Sequence, residues 1–419
     1  MNEILLIWPK GMRNNDWSLF PIGFGYLNNM VDCDILDASL HPLSDEKLAQ
    51  IASKYAVIGI SVWGFNIVNV QHTVDVIKDS SDAIVVLGGP SAHLVRADWA
   101  ILGEGELNLK GVVDYLNQPA ETNKPIKNIP ITYHPSLDDF GLIDYKKLHL
   151  DEYIDTQYKD WMYTLKDKFR SAPIMATRGC PYHCAYCQGP VIMGKKIRKH
   201  SIGYILETIE NLYRSHAIRQ ISFLDDNLTF DMAWAKELCE NILIMKEKKN
   251  LDFIITTLNG IRVNRLDEEL ITLMKRAGWA EVVIAPESGS PATLKRMKKT
   301  IDLTDVEKKV ELFHKHRMTA AAYFMLGYPG ETRSDLDMTR DYILNSKIDR
   351  CIINYFNPTP GTPIYDKLVQ EGKLEDQQKF INYKTVNFVT EGLTEKDLTD
   401  TMEAVSEKTI FREKWIKDL

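Results

Sequence analysis

A chain of 419 residues is longer than one ordinary domain and predicts two, or two with a tail. With 44% hydrophobic and 26% charged residues the balance is that of a globular chain in water, and no run approaches the ~18 uncharged apolar residues a bilayer crossing needs. The net charge of −7 argues against a large nucleic-acid footprint, and the opening Asn2-Glu3 before a short strand is not a signal peptide, so a cytoplasmic address is expected.

In chain order, the first ~115 residues alternate apolar runs with amphipathic stretches, the pattern of βαβ units on a parallel sheet. Strands are expected at 4–8, 33–37, 57–63, 84–88 and 99–102, with helices at 23–30, 44–55, 68–80 and 106–116. Ser44 followed by Lys47 gives an N-cap without a capping box. Five strands with helices on both faces make a doubly wound, Rossmann-like domain over 1–118. A proline-marked linker is expected over 119–165: Pro119, Pro125, Pro130 and Pro135 interrupt periodicity, and a mixed aromatic segment runs on to Trp161. From 166 to 365 the alternation resumes. Strands are expected at 173–177, 220–224, 253–257, 281–285, 319–326 and 351–356, and helices at 202–215, 231–248, 267–276, 303–316 and 332–346. Six β–α units, each strand ending in a chemically unusual loop, predict a partial (β/α)6 barrel of the TIM type. The stretch 366–419 is helical and charged.

The six cysteines are too few for a disulfide scaffold, and three of them fall in Arg178-Gly-Cys180-Pro-Tyr-His-Cys184-Ala-Tyr186-Cys187. That loop follows the first barrel strand, where a barrel enzyme presents its chemistry. Its spacings let one tight turn converge three thiolates, which suit an iron–sulfur cluster with one iron left open. The competing assignment is zinc with His183 as fourth ligand. Structural zinc sites draw on a second ligand pair, and Cys239 and Cys351 stand isolated.

The Cys180-x3-Cys184-x2-Cys187 pattern on a six-unit barrel, with Tyr186 before its last cysteine, resembles the radical S-adenosylmethionine (SAM) superfamily. The resemblance implies a 4Fe–4S cluster on Cys180, Cys184 and Cys187, whose open iron takes the SAM amine and carboxylate. Electron transfer then yields a 5′-deoxyadenosyl radical. Later loops extend it over roughly residues 170–370. Leu224-Asp225-Asp226-Asn227 stands where the family holds the SAM amine, although Asp and Asn before a helix also serve as caps. Ala285-Pro286-Glu287-Ser288-Gly289-Ser290 looks like the ribose and carboxylate contact, or a capped turn. Phe324-Met-Leu-Gly327-Tyr-Pro329-Gly330 resembles the segment against adenine, and Asn357-Pro358-Thr359-Pro360 a loop of one large branch. Tyr186, Asp225, Asp226, Glu287, Ser288, Gly327 and Pro358 are thereby the expected SAM residues.

The amino-terminal domain looks like the cobalamin-binding domain of the class B radical SAM methyltransferases and their relatives. The resemblance rests on Phe20-Pro21-Ile-Gly23, Ser61-Val62-Trp63-Gly64, Gly88-Gly89-Pro90 and Gly103-Glu104. Glycines at strand ends let a corrin lie flat on the sheet edge. Trp8, Pro21, Gly23, Ser61, Val62, Trp63, Gly64, Gly88, Gly89, Gly103 and Glu104 are the expected contacts. The Asp-x-His-x-x-Gly loop that supplies an axial histidine is missing. His41, His72 and His93 lack its spacing, so base-off cobalamin with no protein histidine ligand is expected. Two features stay open. The run Lys195-Lys196-Ile-Arg198-Lys199-His200 is a solvated loop or a guide for an anionic substrate. Arg262 is a substrate carboxylate contact or a structural ion pair.

Together these imply a cobalamin-dependent radical SAM methyltransferase acting on an unactivated carbon of a small-molecule or peptide substrate. It would be served by a flavodoxin- or ferredoxin-type electron donor, with no membrane or nucleic-acid partner. The alternatives are ring contraction, cyclisation or rearrangement on the same cofactors, and a non-catalytic zinc-stabilised binding module. A methylthiotransferase would need a second cysteine set, and Cys33 stands alone.

Overall fold

A computed structural model of the chain describes residues 4–10, 20–116, 132–156, 169–374 and 383–409. Asn2, Glu3, Pro119, Pro125, Pro130, Trp161 and the tail beyond 409 lie outside them. The described residues fall into two compact units. One draws on 1–161, 188–198 and 359–381, and the other on 162–187, 199–358 and 382–419.

The central strands of the first unit read as near-continuous Val/Ile/Leu runs, the signature of a parallel sheet covered on both faces, and its two edge strands are shorter and more polar. The strands are β1 (Ile4–Trp8), β2 (Asp34–Asp37), β3 (Val57–Ser61), β4 (Ile84–Gly88) and β5 (Trp99–Ala100). Their order is β2-β1-β3-β4-β5, all parallel. Helices α1 (Ile22–Met30), α2 (Asp45–Ala52), α3 (Ile67–Ser80) and α4 (Glu106–Leu116) connect them. Ser44 caps α2 by accepting from Lys47 N, and Lys47 leaves the box incomplete. The strand order reverses beside β1, so the carboxyl ends of β1 and β3 flank the crevice where such sheets take ligands.

The described part of the stretch expected to be a linker, 132–156, packs into this unit instead. Leu137, Phe140, Leu148, Leu150 and Tyr153 are all buried, and a further helix, α5 (Leu150–Thr156), forms. Asn29 donates from Nδ2 to the carbonyls of Phe140 and Leu142. Of the four prolines only Pro135 is among the described residues, and irregular backbone packs when its side chains are apolar.

The second unit carries β6 (Ser171–Ile174), β7 (Gln220–Phe223), β8 (Ile254–Ile261), β9 (Trp279–Glu287), β10 (Thr319–Leu326) and β11 (Arg350–Tyr355). They form one parallel six-stranded sheet in sequential order. Sequential order with helical crossovers of one hand keeps every helix on one face and every strand-to-helix loop at one edge, as in barrel enzymes. The crossovers are α6 (Ile202–Ser215), α7 (Met232–Lys249), α8 (Glu268–Ala277), α9 (Leu303–Lys315) and α10 (Arg333–Asn345). The expectation of an α/β fold on parallel sheets therefore holds.

Two strand ends differ from the pattern by three residues or more, each for a local reason. β6 stops at Ile174 because the next free amides, Ala176 N and Thr177 N, donate to the Asp225 carboxylate rather than to the ladder. β8 runs through Asn259-Gly260, which reads as a turn. Gly260 takes φ +85° there and the register with β9 shifts, so the pair makes a bulge instead.

Candidate functional site

The cysteine loop leaves β6 through Gly179 at φ +97°, a conformation open to glycine, and is pinned by Ala185 N donating to Met297 O at 2.9 Å. Cys187 N donates to Cys184 O at 3.1 Å, which folds the last two cysteines into one turn. None of the three is in a disulfide, and all are partly exposed. Thiolates on one tetrahedral zinc sit about 3.8 Å apart, given Zn–S bonds of about 2.3 Å. Among the described residues no cysteine triple holds its sulfurs within 4.8 Å of one another. A cluster, in which each thiolate takes a different iron, spaces its ligands more widely than a single zinc does. His183, the proposed zinc ligand, is exposed.

Arg262, at the end of β8, reaches this loop. Nη2 lies 3.4 Å from Cys184 Sγ, Nη1 donates to Thr300 O at 3.1 Å, and the guanidinium sits 3.5 Å from the Tyr182 ring centroid. These contacts occupy the side chain that was expected to meet substrate or form an ion pair. Tyr182 lies between the first two cysteines, and nothing in the spacing marked it as the platform for Arg262.

Asp225 and Asp226 divide their work. Asp225 is fully enclosed and spends its carboxylate on the Ala176 and Thr177 amides; burial pushes it up to about 7 against these hydrogen bonds. Asp226 is pushed up to about 6 by burial and leaves Oδ2 buried with no partner. Asn227 is buried with both amide atoms unpaired, as is Thr229 Oγ1. Each such group costs about 1–3 kcal/mol unless something binds there. Caps are not the explanation, because Asp231 caps α7 by accepting from Trp234 N.

Glu287 ends β9 at φ +72°, strained for a non-glycine residue. Its Oε1 accepts from Tyr186 Oη at 2.8 Å and from Lys299 Nζ at 3.3 Å. Burial, and then the Glu287 charge, push the Tyr186 phenol well up, so it stays a donor. Lys299 was not foreseen; beside Lys298 it looks like ordinary surface charge. Ser288 turns the other way, sharing a 2.9 Å hydrogen bond with Thr339 Oγ1, and thus anchors the turn to α10. A Cβ on Gly289 would lie 2.6 Å from Met338 O, so glycine is needed for that contact.

Gly327 takes φ +85° and donates its amide to Glu331 Oε2 at 2.7 Å. The side chain nearest its α-carbon face is Leu398, 3.1 Å from a built Cβ, on α12 (Glu395–Ala404; the intervening α11 is Pro363–Gln370 of the first unit). Pro358 is buried beside Asn357, which accepts from Asn387 Nδ2. Burial pushes Glu331 up to about 7. Its unfolded value is lower, so the native state holds the extra proton. Stability from this group is full below about 4.5 and lost as pH rises through about 7. Melting temperature should fall over that window in the wild type, and Glu331→Gln should flatten the slope.

In the first unit the expected cobalamin residues gather at the carboxyl edge of the sheet. Trp8 meets Phe24 and Trp63 edge-on, at centroid distances of 5.4 and 6.5 Å. Trp63 Nε1 donates to Ser61 Oγ at 3.0 Å, and Val62 N donates to Gly88 O at 2.7 Å. Gly89 at φ +98° lies where a Cβ would be 2.6 Å from Val62 O. Gly23, just after Pro21 at the start of α1, and Gly88 have nothing within 4 Å of a built Cβ and present open ledges; Gly64 lies on the turn after β3. Gly103 turns at φ +83° into Glu104.

Glu104 departs from expectation. Its carboxylate is buried and paired bidentately with Arg198, at 2.6 and 2.7 Å. Arg198 also donates to His134 O and Met193 O. The basic run is therefore not one solvated loop. Arg198 is sequestered, Lys199 pairs with Asp231, His200 stacks on Tyr204, and Lys195 and Lys196 remain exposed.

Against known proteins, residues 174–343 match the radical SAM superfamily model. An uncharacterized methyltransferase of Pyrococcus horikoshii is 26% identical over 381 residues, covering 84% of this chain and 79% of that one. Among solved structures, the radical SAM methyltransferase TsrM of Kitasatospora setae, with cobalamin and a [4Fe–4S] cluster bound, superposes with TM-score 0.74 at 14% identity, over 99% of this chain and 92% of that one. OxsB, described as a cobalamin-dependent SAM radical enzyme, superposes with TM-score 0.64 at 13% identity, over 99% of this chain and 62% of that one. No helix among the described residues is long and apolar enough to cross a membrane. Residues 174–343 are thus similar to a radical SAM domain, the kind of domain that takes a 4Fe–4S cluster and SAM.

Proposed function

We propose that the protein is a cobalamin-dependent radical SAM enzyme, and that it methylates an unactivated carbon. The observation that carries the radical reading is the pairing of the cysteine loop with unpartnered Asp226, Asn227 and Thr229 at the end of the neighbouring strand. A cluster with an open iron, SAM and methylcobalamin would supply electron transfer, hydrogen abstraction and the methyl group. Cys180, Cys184 and Cys187 hold the cluster. Asp226 and Asn227 orient the SAM amine and carboxylate, and Glu287, fixed by Tyr186 and Lys299, accepts from ribose hydroxyls. Asp225, Ser288 and Gly327 shape the loops around them. The Gly23 and Gly88 ledges, with Trp8, Ser61, Val62 and Trp63, fit a flat corrin and offer it no histidine. A low-potential flavodoxin- or ferredoxin-type donor supplies the electron.

Arg262 tunes this cluster. An N–H aimed at a ligating sulfur and a cation beside it favour the more negative, reduced cluster. Arg262→Met should therefore lower the cluster midpoint potential in an electron paramagnetic resonance titration, and Arg262→Lys should restore part of it.

Methyl transfer is favoured by the methyltransferase names of the Pyrococcus relative and of TsrM. The rearrangement reading keeps support from OxsB, described only as a radical enzyme. Iron, acid-labile sulfide and cobalt per chain, measured after anaerobic reconstitution and loading with hydroxocobalamin, test both layers. Zero cobalt would end the cobalamin reading and leave the radical one standing.

A further inference from the structure

A second group of metal-ligating side chains lies in the first unit, outside the cysteine loop and the glycine ledges. His41, His149 and Glu152 bring one ligand atom each within 4.8 Å of one another. His41 Nε2 is 3.2 Å from Glu152 Oε1, and His149 Nδ1 is 3.8 Å from Glu152 Oε2. The two imidazoles meet edge-on at 5.8 Å. Ligand atoms on one zinc-sized ion stand about 3.3 Å apart, given bonds of about 2.0–2.2 Å. Small rotations of these exposed side chains reach that spacing.

The backbone beneath the three residues is fixed. His41 ends the turn after β2, its amide donating to Asp37 O at 2.9 Å. The Asp37 carboxylate shapes that turn by accepting from Ser39 N and Leu40 N. Its other oxygen accepts from Tyr153 Oη at 2.5 Å, and both Asp37 and Tyr153 are buried. Tyr153 follows Glu152 in α5, so one enclosed hydrogen bond locks the segment bearing His41 to the helix bearing Glu152. His149 immediately precedes that helix and is held at φ +57°, a strained choice for a β-carbon-bearing residue. Its carbonyl accepts from Tyr153 N at 3.0 Å. His149 and Glu152 are thus an i, i+3 ligand pair at the start of α5, with a third ligand brought from the turn after β2.

We propose that His41, His149 and Glu152 form a site for a zinc-class divalent transition metal, with water in the remaining positions. Two imidazoles and a carboxylate suit borderline ions such as Zn²⁺ over the all-oxygen preference of Mg²⁺ or Ca²⁺. The ion would clip the β2 turn to α5. The site is independent of the cysteine loop, and the inference survives if the radical reading fails.

The test titrates cluster-reconstituted, full-length protein with Zn²⁺ alone, by calorimetry and by competition with a chromophoric chelator. The wild type should bind one Zn²⁺ that a His41→Ala/His149→Ala double variant does not, with affinity at least tenfold weaker in either single variant. Zn²⁺ should also raise the melting temperature of the wild type and leave that of the double variant unchanged. Glu152→Gln should weaken binding with the zinc-free fold intact. Equal stoichiometry and equal affinity in wild type and double variant would overturn the site. So would tighter binding of Mg²⁺ or Ca²⁺ than of Zn²⁺.

Discussion

Replacing Cys180, Cys184 and Cys187 together by alanine should give a folded, colourless chain. Anaerobic reconstitution of the wild type should produce a broad brown absorbance that dithionite bleaches, and the triple variant should bind iron and sulfide only at background. The fold should survive because the loop's fixed points are backbone atoms, Ala185 N on Met297 O and Cys187 N on Cys184 O. With no cluster there is no donor for the sulfonium, so 5′-deoxyadenosine from SAM should fall below detection. Continued formation of 5′-deoxyadenosine by the triple variant would falsify the radical assignment. This effect is the largest expected because all three thiolates serve a single group, and losing it removes the reaction's only electron entry.

Glu104→Ala should destabilise the first unit by about 3–5 kcal/mol, the usual cost of stranding a buried charge. Among the described residues, Arg198 would be left with His134 O and Met193 O as its remaining acceptors for a full positive charge. A Glu104→Met/Arg198→Met double replacement should recover much of that loss, since an apolar pair of similar volume avoids the desolvation of both ions. Denaturant unfolding of the two singles and the double measures the coupling directly. Glu104 was also expected among the cobalamin contacts. If that were its role, Glu104→Ala would lose cobalamin while keeping its stability, and the double variant would rescue nothing.

The sequence by itself determined a good deal. Periodicity located the strands of both parallel sheets and the helices that connect them, because apolar runs of five or six and 3.6-residue stripes follow directly from burying one or both faces. The boundaries of β1, β4, β10 and α6 follow from those patterns alone. The cysteine spacing marked one loop as the candidate cluster site, because ligands on one turn must be close in sequence.

Tertiary structure decided what depends on long-range pairing. Nothing in Asp225-Asp226 tells the two carboxylates apart; the free amides of Ala176 and Thr177, about fifty residues earlier, claim one and leave the other unpartnered. Arg262 meets Cys184 only because the loops after β6 and β8 open at one sheet edge. Glu104 looked like a ligand contact until Arg198 filled it, and the Pro-rich stretch looked like a linker until Phe140 and Tyr153 were buried. His41 and His149 lie more than a hundred residues apart, and long-range contacts such as the hydrogen bond between Asp37 and Tyr153 set them side by side. Local pattern reports which face of an element is buried. Which partner a polar group finds is settled when distant segments close on each other, because an enclosed charge or amide must pair with whatever the fold brings within reach.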